Sequence, residues 1–439
     1  MQIFNSKQRT IAVAISTAFL LGGIACQSPL LQSKEPAASA AMRDVPAVRL
    51  NYRYEADVPA PTLDTPTQTA EERNPAIQAD FDANRTQELL DRTLSSPDKK
   101  RVLAVYHRVT DLSSEYRLDM YTSDGKPLRK LTSETMAVHF PDTIVWSPDS
   151  TLVAFVAMLR TTMPDMSGLL ALTGQQPSPT PNTDANSADE TGVTATQTPV
   201  SAPTPAAPTG ILAFRTEQIY IAGADGGGVK AITENEGLIY FYYVWSPDSS
   251  MLAAMAATAR EWRYLEVISG NKGEMMVPQG RLRIVEKNGR ERRLDDNLTA
   301  VRPVWSTDSA KVAEAYETQI RIYDAMGTNP TQAAIPLRNQ LLISSQAYDR
   351  DQQRKLQAAN VDPNAPPATP DATEPISSLP DEKLLVSYNP IVEIAWPAED
   401  LIYVQTAYLR RMKNEADSVR SFSRWHRLAL TSQPSTTIK

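Results

Sequence analysis

Three stretches of the chain repeat one order of apolar and polar positions: "VWSPDSTLVAFVA" (145–157), "VWSPDSSMLAAMAA" (244–257) and "VWSTDSAKVAEAY" (304–316). In each, a short apolar run ends in Trp, a polar Ser-Pro-Asp-Ser or Ser-Thr-Asp-Ser step follows, and an alternating apolar run comes next. Leu152, Val153, Phe155 and Val156 carry that run in the first copy, Leu252 and Met255 in the second, Val312 and Ala315 in the third. Alternation of this kind predicts strands. Pro at the second turn position presets φ at about −65°, and Asp and Ser side chains bond the backbone of a tight turn, so each copy reads strand, turn, strand. A second hairpin pattern accompanies each copy at 118–132, 219–233 and 282–295. Asp124-Gly125, Asp225-Gly226 and Asn288-Gly289 lie at its centre, dipeptides that tolerate the positive φ of primed turns. The repeating unit is therefore four antiparallel strands, the pattern of a propeller blade.

The turn element recurs at Pro97-Asp98, Pro148-Asp149, Pro247-Asp248, Thr307-Asp308 and, in degenerate form, Pro397 to Glu399. A closing element recurs at Leu131-Thr132, Ile232-Thr233, Leu294-Asp295, Ile335 and Leu430-Thr431. Both predict an all-β propeller of about five four-stranded blades over residues 95–432. The first copy has Ser95 in place of Trp, so its inner strand comes either from residues 87–94 or from the tail after Leu430, which would clasp the first blade. Residues 26–94, rich in Ala, Pro, Ser and Thr, are expected to be a flexible tether with one short helix within 75–94. Two Pro/Thr-rich insertions, about 165–209 and 349–381, are expected to be disordered, and 433–439 forms a tail. The insertions and the 259–280 segment all fall on the end of the blades opposite the Asp-containing turns.

The "WSPDS" element, followed by paired strands and "LT", resembles the WD40-like, TolB-type β-propeller repeat (PD40) of bacterial envelope proteins. The resemblance implies a propeller fold without implying an activity. The chain departs from it in carrying Ser150, Ser249 and Ser309 where the repeat usually has Gly, and in keeping little beyond Trp396 in the last copy.

Composition narrows the setting. The 439 residues carry a net charge of −7, which argues against a nucleic-acid partner, since phosphate binding calls for a basic face. The single cysteine, Cys26, excludes an internal disulfide and a Cys-based zinc site. It follows Lys7, Arg9 and an apolar run from Ile11 to Ile24, the layout of a secretory signal peptide over 1–25. Gly23-Ile24-Ala25-Cys26 resembles the lipobox of bacterial lipoproteins, which implies acylation of Cys26 and a lipid-anchored place in the cell envelope; ordinary signal-peptidase cleavage before Cys26 is the other reading.

Catalytic signatures are missing from the sequence: there is no Gly-x-Ser-x-Gly elbow, His-Glu-x-x-His pair or phosphate-binding glycine loop. No catalytic residue, metal site or cofactor is assigned. His107, His139 and His426 are expected at blade surfaces or edges. Trp146, Trp245, Trp305 and Trp396 are expected to pack between blades, and Asp149, Asp248 and Asp308 to bond their own turns. Trp262, Tyr264, Met275 and Met276, in a segment read as a loop, are the candidate interaction residues. The expectation is a monomeric, lipid-anchored extracytoplasmic propeller that binds an envelope protein or peptide. The alternative is an extracytoplasmic hydrolase or lyase using carboxylates at the channel mouth on glycan or peptide substrates.

Overall fold

The computed structural model describes residues 41–62, 73–112, 114–159, 217–359 and 379–433. The signal segment, Cys26, the 165–209 insertion and residues 434–439 lie outside them. In chain order the described elements begin with β1 (Leu50–Val58), α1 (Pro75–Asn84), β2 (Glu88–Ser95), β3 (Arg101–Arg108), β4 (Arg117–Thr122) and β5 (Pro127–Lys130). Next come β6 (Met136–Ala137), β7 (Val145–Trp146), β8 (Leu152–Leu159), β9 (Gln218–Gly223) and β10 (Lys230–Ala231). They are followed by β11 (Leu238–Trp245), β12 (Met251–Thr258), α2 (Ala259–Lys272), β13 (Arg281–Glu286) and β14 (Glu291–Arg293). The last are β15 (Val304–Trp305), β16 (Lys311–Tyr316), β17 (Gln319–Asp324), β18 (Gln332–Pro336), α3 (Arg338–Ala359), β19 (Ile391–Ala398), β20 (Leu401–Arg410) and β21 (Val419–Ser432).

These strands form five antiparallel sheets: β2 to β5, β6/β7 to β10, β11 to β14 and β15 to β18, each a run of consecutive strands, and β19-β20-β21-β1, whose outer strand comes from the other end of the chain. The described residues form a β-propeller of five blades. In the second blade the inner strand is split into β6 and β7, both pairing with β8, by a short 3-10 turn at Pro141–Thr143.

Side-chain chemistry explains the repeated turn. Ser147 Oγ donates to Asp149 Oδ1 (2.5 Å) and accepts from the Leu152 N–H (3.0 Å), while Asp149 Oδ1 also accepts from the Thr151 N–H (3.0 Å). Ser246/Asp248 and Ser306/Asp308 repeat the arrangement, and Ser96/Asp98 builds it in the first blade. The residue after Asp is left-handed each time: Lys99 at φ 57°, Ser150 at 61°, Ser249 at 60° and Ser309 at 63°. Glycine would adopt this conformation at less cost. The serines are explained by the neighbouring blade, because the Asp98 N–H donates to Ser150 Oγ (3.0 Å), Asp149 N–H to Ser249 Oγ (3.1 Å) and Asp248 N–H to Ser309 Oγ (3.0 Å). Each left-handed serine thus receives the turn of the blade before it. The closing Thr works in a similar way within its own blade. Thr132 Oγ1 accepts from the Leu118 N–H and Thr233 Oγ1 from the Ile219 N–H, fixing where the third strand starts.

The tryptophans join blades in the same direction. Trp146 Nε1 donates to Leu94 O (3.1 Å), Trp245 Nε1 to Val145 O (3.4 Å) and Trp305 Nε1 to Val244 O (3.1 Å), each ring buried in the core shared with the preceding blade. Trp396 is buried between blades four and five, but its Nε1 turns back to Glu399 O (3.3 Å) in its own degenerate turn. The first blade has no preceding blade core of this type among the described residues. Its face of Val102, Ala104, Tyr106 and Tyr121 is covered by Ile77 and Phe81 of α1. Asn74 caps that helix with its side chain and Pro75 opens it.

Three expectations are corrected. The tether is not flexible throughout: residues 50–58 are β1, the outer strand of the fifth blade, paired antiparallel to β21 from Leu50↔Ser432 to Val58↔Trp425. Alternation of Leu50, Tyr52 and Tyr54 places them against the core between blades four and five, which offsets the polar flanks. This strand, and not a clasp of the tail onto the first blade, joins the chain's two ends, and β2 supplies the first blade's inner strand. Second, the 349–381 insertion is helical as far as Ala359, because α3 begins on the buried Leu341 and Leu342, and Asp349 Oδ2 accepts the Val386 N–H (2.8 Å). Residues 360–378 lie outside the described residues. Third, the 259–280 loop is largely the helix α2.

Candidate interaction surface

Strand direction gives the blades two ends. The Ser-Asp turns and the Gly turns between third and fourth strands share one, called here the turn end. The other receives α2 (between β12 and β13), α3 (between β18 and β19), the long β20–β21 connection, and both ends of the connection between β8 and β9.

At this second end α2 is fixed by a reciprocal cap: the Glu261 N–H donates to Thr258 Oγ1 (3.2 Å) and the Thr258 N–H to Glu261 Oε2 (2.9 Å). Arg281 of β13 grips the same carboxylate at 2.8 and 2.7 Å. Those guanidinium bonds, with the cap, hold the Glu261 carboxyl down at about 2. Gly273, at φ 69°, stops the helix in the left-handed conformation that favours glycine.

The four candidate side chains have different surroundings. Trp262 is the anchor, edge-on to Phe140 at 5.7 Å and tilted on Phe241 at 5.5 Å, with its Nε1 donating to Glu266 (3.0 Å). Tyr264 is 65% exposed and Met275 41% exposed, whereas Met276 is half-buried. Val267 and Val277 are also exposed, and nothing in their local sequence marks them out. The helix tail then crosses to the fifth blade: the Met275 N–H donates to Arg411 O (3.0 Å) and the Lys413 N–H to Gly273 O (3.3 Å) around an antiparallel bridge between Glu274 and Met412. Blade three and blade five are thereby linked across the insertion end. On the fifth blade's side the link carries exposed Tyr408, Leu409, Val419 and Phe422.

A cluster of ionisable groups lies away from this surface. Glu314 of β16 is fully buried, at a position where the other blades place Ala104, Phe155 and Ala254, counting from the turn serine. Burial raises its carboxyl to about 8 although the Tyr316 hydroxyl bonds Oε2, and no partner for Oε1 is present among the described residues. Tyr323 and Arg321 both reach Asp295, and Tyr316 lies 3.5 Å from the Tyr323 hydroxyl. Burial pushes Asp295 up, but the bonds from Tyr323, the Asn297 N–H and Arg321 outweigh it and hold the carboxyl below its ordinary range. The group is a bonded chain of acids and phenols between blades three and four, buried at Glu314.

Two cavities open nearby. One of about 520 Å³ is lined by Glu317, Arg338, Glu382, Tyr388 and Asn389; the other, of about 350 Å³, by Arg293, Asp295, Asn297 and Arg321. Arg338 pairs with Glu382 and Arg321 with Asp295, so an arginine faces an acid in each. Among the described residues no group of three or more His, Cys, Asp or Glu is placed to hold a metal ion.

The histidines are less superficial than their sequence positions suggest. His426 is fully buried, with Nδ1 2.8 Å from the Tyr54 hydroxyl and Nε2 3.2 Å from Thr406 Oγ1. Burial first, and Arg424 second, lower it to about 4. The nearly buried His139 ring lies between Glu217 (3.5 Å) and Glu115 (3.9 Å), and His107 packs edge-on to Tyr116. Sequence neighbours do not disclose these contacts, since the partners are distant along the chain.

No known family model matches the chain, and no curated protein sequence does. Solved structures with detectable likeness include prolyl oligopeptidase B from Galerina marginata bound to a 25mer macrocyclization substrate (9% identity, 78% of this chain and 36% of that one, TM-score 0.36). Dipeptidyl peptidase 4 from Porphyromonas gingivalis is another (10% identity, 56% of this chain and 33% of that one, TM-score 0.30). A third is an oligogalacturonate lyase in complex with manganese (10% identity, 79% and 77%, TM-score 0.24). The chain spans about a third of the length of the two peptidases. At these identities and scores the likenesses carry no argument about activity.

Proposed function

We propose that this chain is a non-enzymatic, protein- or peptide-binding propeller of the bacterial envelope, held at a membrane by lipid on Cys26 and working through its insertion end. The observation that carries the reading is α2: a helix fixed by a cap, an arginine and a half-buried Trp packed on two Phe rings, yet presenting Tyr264 and Val267, with Met275 just beyond its end, to solvent. A rigid helix with apolar side chains facing outward has the character of an interface core. The resemblance of the repeat to TolB-type propellers supports an envelope setting.

The place where the tether joins the domain is consistent with this use. Lys311 Nζ donates to Met42 O (3.0 Å) and Arg43 O (3.2 Å), and the Ala47 N–H donates to Asp324 Oδ1 (3.0 Å), so residues 42–47 are docked at the turn end of blade four.

A hydrolase or lyase acting through channel-mouth carboxylates would need an acid pair that solvent reaches. Among the described residues Glu314 is fully buried, and Asp295, on the wall of a cavity, is tied to Arg321 and Tyr323. The test is in-cell cross-linking of the wild type against Tyr264→Ser/Val267→Ser/Met275→Ser. One dominant envelope protein recovered with the wild type and lost with the variant is expected. An unchanged cross-linking pattern would refute this surface as the working one.

A further inference from the structure

After β14 the chain crosses from blade three to blade four through residues 294–303, and this crossing shapes the cavity of about 350 Å³. Arg293, Asp295 and Asn297 form one side of it, Arg321 of β17 and Gln332 of β18 the other. Every lining residue lies between 293 and 332, a stretch described without interruption.

The charges of the cavity cancel. Arg321 pairs with Asp295 and Arg293 with Asp296 (2.8 Å), so an ionic ligand of either sign would have to compete with a bond already made. The polar groups are also held in place. Asp295 Oδ1 accepts from the Asn297 N–H (2.8 Å) and from Asn297 Nδ2 (2.9 Å), while Oδ2 accepts from the Tyr323 hydroxyl and Arg321 Nη1. The Arg321 guanidinium lies 4.6 Å from the centre of the Tyr316 ring, and Tyr316 is itself tied to Glu314. The chain of acids and phenols behind the wall therefore fixes the wall. A guanidinium bonded on one edge and stacked on one face is already ordered before a ligand arrives, which spares that ordering cost on binding.

The bonding capacity left over is uncharged in balance. A side-chain amide offers both a carbonyl acceptor and N–H donors. Among the described residues Asn297 Oδ1 and the whole Gln332 amide have no partner, and Arg321 has more N–H groups than its bond to Asp295 uses. Donors and acceptors set side by side in this way suit neighbouring hydroxyls, each of which can donate and accept. The volume lies at the small end of ligand cavities, which span about 300–1,000 Å³.

We propose that the cavity between blades three and four binds one unit of a neutral saccharide, with Asn297, Gln332 and Arg321 bonding its hydroxyls. The site is separate from α2 and does not rest on the protein-binding reading of that helix.

The probes are cellobiose, maltose and chitobiose at millimolar concentration with the full chain, followed by saturation-transfer NMR and calorimetry; glucuronate and glucosamine are the charged counterparts. At least one neutral disaccharide is expected to bind, with an affinity that salt does not change because no ion pair forms, and neither charged sugar is expected to bind more tightly. Asn297→Ala/Gln332→Ala, with an unchanged melting temperature, is expected to weaken binding at least roughly tenfold, the combined worth of two neutral hydrogen bonds. The Tyr264→Ser/Val267→Ser/Met275→Ser chain is expected to bind the sugar as the wild type does. No binding of any neutral disaccharide to wild type, or tighter binding of a charged sugar, would overturn the proposal without need of any variant. Undiminished binding by the Asn297/Gln332 variant, or loss of binding in the α2 variant, would place the sugar elsewhere and overturn it too.

Discussion

Replacing Glu314 by Gln should change how stability depends on pH. In the folded chain burial holds this carboxyl at about 8, against 4.5 when free. Below 4.5 both states are protonated and the group contributes nothing to the difference between wild type and variant. As pH rises, the unfolded chain releases the proton and the native chain does not, so the unfolded state binds fewer protons and native stability falls. Each unit of separation is worth about 1.4 kcal/mol, so the loss approaches roughly 5 kcal/mol by pH 8. Glu314→Gln keeps an acceptor for the Tyr316 hydroxyl and removes the titration. Near pH 5 the variant should match wild type within about 1 kcal/mol, the net worth of one hydrogen bond. Near pH 8 it should be clearly the more stable of the two. Urea unfolding at half-unit steps from pH 5 to 8.5 would measure this. His426 works in the other direction: burial and Arg424 lower it from 6.5 to about 4, so stability rises with pH over that interval in both proteins and cancels from their difference. Parallel stability curves for wild type and Glu314→Gln would refute the buried, neutral acid.

Two further outcomes are expected. Ser249→Ala should lose about 1 kcal/mol, because the bond from the Asp149 N–H goes while the φ of 60° stays, whereas Ser249→Gly should lie closer to wild type since it gives up the same bond but relaxes the left-handed backbone; an alanine variant as stable as wild type, by urea unfolding, would refute the interblade role. Cys26→Ala should shift the protein from membrane to soluble fractions, and its retention in the membrane would reject the lipid anchor.

The blades were legible because their turns are chemically demanding. In a Ser-Pro-Asp-Ser turn the first Ser and the Asp bond local backbone and the last Ser receives the preceding blade's turn, so its spelling recurs wherever the turn does. β1 was obscured for the opposite reason: "LNYRYEADV" alternates, but Pro-rich segments flank it, and its partner β21 lies at the far end of the sequence. α2 carried a helix start signal in Thr258 and Glu261, which the strand pattern immediately before it outweighed.

The uneven distribution of irregular segments follows from the same chemistry. At the turn end the N–H groups of Asp98, Asp149 and Asp248 reach the serine of the next blade, so lengthening one of those turns would displace a bond in its own blade and another in its neighbour. At the other end the connections between second and third strands answer to no such shared pattern: one blade has a helix there, another an overgrown hairpin, another a long segment between β8 and β9. The longer connections therefore fall at the end away from these turn-to-turn bonds, while residues 42–47 dock at the turn end of blade four. The positions that make the propeller regular also determine where it can diversify.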